Sequence, residues 1–155
     1  MLSEKFRKFF TENGTWQEPF RDYLFFGKFT VKTVHETLFL KDYEIVSNFY
    51  VLGKEVRNPQ EAENSFKKFL KDSEELMEVP PDHYLSSFAL ILLSEKEIDV
   101  SKLFKRKFLW LGIKGKVVKF GCNLFRNGLK FPEKAEKELP EFVKFLKSTL
   151  KSPED

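Results

Sequence analysis

Cysteine, histidine and glutamine are scarce in this chain, and each scarcity excludes something. Cys122 is the single cysteine, so neither an intrachain disulfide nor a multi-cysteine zinc site can form. Placed between Gly121 and Asn123 in an apolar stretch, it reads as a small core residue rather than a nucleophile. His35 and His83 are the two histidines, and no His-x-x-x-His spacing joins them to Glu36 or Asp82 as metal ligands. They read as ordinary boundary residues, and no metal or cofactor is expected. The seven glycines are scattered, which rules out phosphate-loop and dinucleotide patterns. Long apolar runs are missing as well. The longest, Phe88 to Leu93, falls far short of a membrane span, and Met1-Leu2-Ser3-Glu4-Lys5 lacks a secretory apolar core. A cytoplasmic protein without membrane contact is expected. Gln appears only at 17 and 60 while Lys and Glu dominate, a bias associated with proteins from hot environments.

What is present is aromatic. Nineteen Phe residues in 155 predict one globular domain, 1–155, with an aromatic-rich core. Ser3 to Asn13 carries Phe6, Phe9 and Phe10 at helical spacing, between a Ser3 cap and Gly14. Alternation from Tyr23 to Val34, then Thr37 to Leu40 and Tyr43 to Leu52, predicts three strands. Asn58-Pro59-Gln60-Glu61 announces a helix with Asn58 as cap and Glu61 as capping-box partner. Ala62, Phe66, Phe69 and Leu70 form its buried stripe, and Pro80-Pro81 closes it. Tyr84 to Leu93 is apolar enough for a strand buried on both faces. Phe108 to Ile113 and Val117 to Phe125 predict a hairpin turning at Lys114-Gly115-Lys116. Pro132 opens a helical region that Pro140 must kink or divide.

This order predicts an α+β fold, a largely antiparallel sheet flanked by amphipathic helices. A weak internal similarity suggests two related strand-strand-helix halves, 15–78 and 79–151. Pro59-x-x-Ala62-Glu63 with Phe66-x-Lys68-Phe69-Leu70-Lys71 recurs as Pro132-x-x-Ala135-Glu136 with Phe142-x-Lys144-Phe145-Leu146-Lys147. Shared composition of Lys/Glu-rich helices accounts for it equally well.

Charge is divided unevenly. Residues 101–130 hold no Asp or Glu, where about five acids would be expected from the chain average. Lys102, Lys105, Arg106, Lys107, Lys114, Lys116, Lys119, Arg126 and Lys130 give that segment +9, while the whole chain is only +3. Phe104, Phe108, Trp110, Phe120 and Phe125 are interleaved. Cations supply phosphate contacts and exposed aromatics can stack bases, so Arg106, Lys107, Trp110, Lys114, Lys116 and Lys119 are the candidate nucleic-acid or anion contacts. A charged outer sheet face with inward aromatics is the plainer alternative.

Asp72, Glu74, Glu75, Glu78 and Asp82 form an acidic run without Lys or Arg among them, at the C-terminal end of a predicted helix. Negative charge is unfavourable there. A second reading follows, in which this patch meets the basic segment of another copy or of a partner protein, giving a homo-oligomer or hetero-complex.

No nucleophile with a base and no metal-ligand spacing is visible, so a binding module is expected rather than an enzyme. One exception is worth stating. Helix, three strands, helix, strand is also the order of restriction-endonuclease-like nucleases, and Asp42 and Glu44 fall roughly where their carboxylates would. The accompanying Glu-x-Lys is missing from the predicted strands. Finally, Asp82-His83-Tyr84 before an apolar strand, Ile98-Asp99, and Lys105-Arg106-Lys107-Phe108 with Gly112 and Gly115 resemble an uncharacterised family of small prokaryotic proteins. The likeness covers mainly 66–138, and as a domain of unknown function the family implies no activity and no site.

Overall fold

The computed structural model describes residues 8, 11–12, 15–17, 20–35, 43–77, 83–109 and 115–150. Its order is β1 (Thr15–Gln17), β2 (Phe25–His35), β3 (Tyr43–Glu55), α1 (Pro59–Leu76), β4 (His83–Leu93), β5 (Phe104–Leu109), β6 (Gly115–Phe125), β7 (Gly128–Lys130), α2 (Glu133–Glu138) and α3 (Pro140–Leu150). The α+β expectation holds. The strand expected over Thr37 to Leu40 lies outside the described residues, as does most of the helix expected over Ser3 to Asn13.

The seven strands form one sheet in the order β1-β2-β3-β4-β6-β5, with β7 beside β6. Four neighbouring pairs are antiparallel, but β3–β4 and β4–β6 at the centre are parallel. The parallel centre follows from the connections. Helix α1 carries the chain back to its starting end before β4, and β5 performs the same return before β6. Strand direction therefore differs between the two stretches compared above: β2 runs antiparallel to β3, whereas β4 runs parallel to β6.

Strand β4 is buried on both faces, as its composition predicts, and every residue from Ser86 to Leu92 has 0% exposure. Phe88, Leu90 and Leu92 pack under α1 with Tyr50, Phe66 and Phe69. Ala89 and Ile91 face the opposite layer, where α3 supplies Phe142, Val143 and Leu146. Three layers result, helix on sheet on helix.

Helix α1 starts as its sequence dictates. The Asn58 side chain accepts from the Glu61 N–H at 2.9 Å. Glu61 reaches back one residue further than a capping box would, accepting from the Arg57 N–H at 2.9 Å. Pro140 divides the C-terminal helical region at Leu139, producing α2 and α3. At Gly53, opposite Phe25 in the β2–β3 ladder, the absent side chain has a purpose. A Cβ there would lie 2.3 Å from the Phe25 ring.

The β5–β6 hairpin is displaced from expectation. Strand β5 begins at Phe104 rather than Phe108, so Lys105, Arg106 and Lys107 belong to a strand and not to a loop. Apolar alternation hides such a strand, because an edge strand can expose consecutive charged residues.

Candidate nucleic-acid interface at the β5 edge

Among the described residues, strand β5 lies at an edge of the sheet and pairs with β6. Its side chains alternate between faces. Lys107 reaches toward α1, with its Nζ 3.3 Å from Glu74. Arg106 turns to the other layer and pairs with Glu138 of α2. Lys116, from β6, reaches the same carboxylate at 3.3 Å. Lys105, Arg106 and Lys107 are all exposed. Trp110 and Lys114 lie outside the described residues.

Lys119 does not belong to this exposed set. It is 4% exposed and lies beneath α1, where its ammonium donates to Glu74 at 2.9 Å and to the Leu70 carbonyl at 3.1 Å. The Phe88 ring centroid is 5.6 Å from the same nitrogen. Burial lowers the Lys119 pKa, and the bond to Glu74 opposes that shift. Glu74 is itself partly desolvated, which raises its pKa, but Lys119 and Lys107 outweigh this and hold it below the ordinary carboxylate value. Lys119 reads from sequence as a surface contact because it falls in a charged hairpin. Its position on β6 instead shares a face with buried Val117.

The acidic run finds cations within the chain. Helix α1 has no basic residue in its last turn. Lys107 and Lys119 compensate Glu74, while Arg21, at a positive φ of 51°, pairs with Asp72 and Glu75. Buried Asp72 also accepts from the Tyr23 hydroxyl at 2.8 Å. Burial, then this bond to Asp72, raises the Tyr23 pKa. Packing of α1 over β6 brings Glu74 to Lys119, and the turn before β2 brings Arg21 to Asp72 and Glu75. Glu78 and Asp82 lie outside the described residues.

Helix α2 adds two residues that the 101–130 window omits. Lys134 and Lys137 line a cleft of about 370 Å³ with Phe104, Lys105, Arg106 and Glu138. Lys137 is shared with Glu133 at 3.4 Å. Lys105 and Lys134 have no carboxylate partner among the described residues. Their spacing along the chain conceals this juxtaposition, which arises only because α2 follows the short β7 back over the sheet edge.

Cys122 is fully buried, and burial pushes its thiol well above the ordinary value. Among the described residues, no group of three or more His, Cys, Asp or Glu is arranged to hold a metal ion. Asp42 lies outside the described residues, and Glu44 is placed only as the second residue of β3. Strands β2 to β4 contain no Glu-x-Lys. No helix among the described residues is long and apolar enough to cross a membrane. Comparison with protein-family models, curated proteins and solved structures finds no match to this chain.

Acid should weaken the fold. Asp22, bonded first to Lys54 and then to Lys68, is held below the ordinary carboxylate range, and Glu74 is lowered as well. The unfolded chain therefore takes up these protons first as pH falls, so the stabilisation is present above about pH 4 and is lost below it. The urea midpoint should drop between neutral pH and about pH 3, and Asp22→Asn should make that drop smaller.

Proposed function

We propose that the protein is a binding module that takes nucleic acid along the basic rim of the β5 edge. The observation that supports this most is the crowding of cations there. Lys105, Arg106 and Lys107 occupy successive positions of an edge strand, with Lys102 just before it and Lys134 and Lys137 on the adjoining helix. Glu74 and Glu138 neutralise part of this charge, but each is shared between two cations. An excess of positive charge at one edge attracts a polyanion and raises its encounter rate. The reading needs contacts to phosphates and no reaction.

Association with another copy is the weaker reading. Asp72, Glu74 and Glu75, three of the acids it would use, are paired within the chain. Consecutive cations on β5 also discourage strand addition by a second sheet.

The test is fluorescence anisotropy of a labelled oligonucleotide with the intact chain and with Lys105→Gln/Lys107→Gln/Lys134→Gln. Each phosphate contact carries a salt-sensitive share of the affinity, so the triple variant should bind at least about tenfold more weakly in low salt. Equal binding by the two proteins would overturn the proposal. Circular dichroism of the variant should match the parent, since none of the three side chains is buried.

A further inference from the structure

Between α1 and the β5 edge lies a groove with two neighbouring chambers. The larger, of about 480 Å³, has an apolar lining of Ala62, Phe66, Leu70 and Leu103, while the Phe104 side chain packs against the opposite layer. Lys67, Lys102 and Lys105 stand around it together with Glu63 and Asp99. The smaller, of about 40 Å³, lies between Leu70, Glu74, Val117 and the three lysines 105, 107 and 119. Leu70 and Lys105 border both chambers.

The lysines of the smaller chamber are unusually placed. Lys105 is directly opposite Lys119 in the β5–β6 register, and like charges in that relation repel. Lys107 adds to the repulsion felt by Lys119. Glu74 accepts from Lys119 and Lys107, and no described carboxylate is in ion-pair contact with Lys105. An anion at the mouth of this chamber, against Lys105 and Lys107, would relieve the crowding. The chamber is too small for more than the oxygens of one such group, and the apolar chamber beside it has the dimensions of a small-molecule pocket. A planar ring system joined through a short linker to a phosphate combines both parts.

We propose that this groove takes one unstacked nucleotide of a single strand, with the base in the chamber lined by Phe66, Leu70 and Leu103 and its phosphate against Lys105 and Lys107. Lys119 holds Glu74 and α1 in place and so fixes the groove wall. The inference rests on the nucleic-acid reading above and narrows it. A duplex keeps its bases stacked and paired, so it can reach the lysines but not fill the apolar chamber.

Anisotropy with three short labelled probes tests this: a single strand, its duplex, and the same single strand with abasic sites. Lys105→Gln, which lines both the groove and the cleft beside α2, is compared with Lys134→Gln, which lines that cleft but not the groove. The intact single strand should bind about tenfold more tightly than the duplex. Removing bases should weaken it at least about fivefold, the lower range of what one stacked base contributes. Lys105→Gln should weaken the single strand more than Lys134→Gln does. Equal binding of intact, abasic and duplex probes would overturn the groove inference while leaving the basic edge as a nucleic-acid surface. Absence of binding by every probe in low salt would overturn both.

Discussion

Lys119→Glu is expected to lower stability by about 3–5 kcal/mol, the usual cost of an uncompensated charge at a buried position. The substitution places a carboxylate where only 4% of the residue meets solvent, against Glu74 and the Leu70 carbonyl. The new carboxylate would face two acceptors and give neither a donor, although Lys107 remains beside Glu74. Lys119→Met should cost less, about 1–3 kcal/mol, since it leaves the Leu70 carbonyl without this donor but introduces no buried charge. Glu74 is partly exposed and can turn to water. Urea denaturation separates the two. Equal and small losses for both variants would mean that Lys119 is solvated. A charge reversal at this position thus reports on folding, and loss of binding by it would say nothing about the surface.

Phe88→Ala should be comparably severe, about 3–5 kcal/mol by the range for truncating a buried phenylalanine. Its ring has no exposed surface and stacks on Tyr50 with centroids 4.1 Å apart, while Phe69 approaches edge-on at 6.4 Å. It lies at the middle of the central strand, with sheet neighbours on both sides and α1 above, so the cavity has little room to collapse. The Lys119 ammonium would also lose the ring beneath it. A thermal or urea midpoint within error of the parent would contradict this packing.

Much of this architecture is legible in the sequence because its signals are local. Asn58 and Pro59 announce the start of α1, Pro140 divides the last helical region, and the apolar run ending at Leu93 identifies a strand covered on both faces. Strand β5 escapes because exposed Lys105, Arg106 and Lys107 break the apolar alternation that would reveal it. Strands β1 and β7 escape because three residues are too few to establish a period.

The candidate site is legible only in part, for a related reason. Composition locates the acid-free segment, and Arg106 and Lys107 do lie on its exposed edge. Whether a lysine on a strand points outward depends on register, and Lys119 shares its face with Val117 rather than with solvent. The contribution of Lys134 depends on α2 packing beside β5, which no local signal records. Pairing between the acidic run and the basic segment is visible as complementarity of charge. That it occurs within one chain follows from the crossover of α1, a property of topology.

The most direct test of the basic edge as a nucleic-acid surface is the dependence of oligonucleotide affinity on salt. Each phosphate neutralised by Lys or Arg releases counterions, so the logarithm of the binding constant should fall linearly with the logarithm of salt concentration, by about 0.7 per contact for a single strand. Lys105→Gln and Lys134→Gln should each reduce the steepness of that line by about one contact, whereas Lys71→Gln, an exposed change on α1 outside both the groove and the cleft beside α2, should leave it unchanged. A slope near zero for the parent protein, or one that all three substitutions alter alike, would contradict the assignment of the β5 edge as the binding surface.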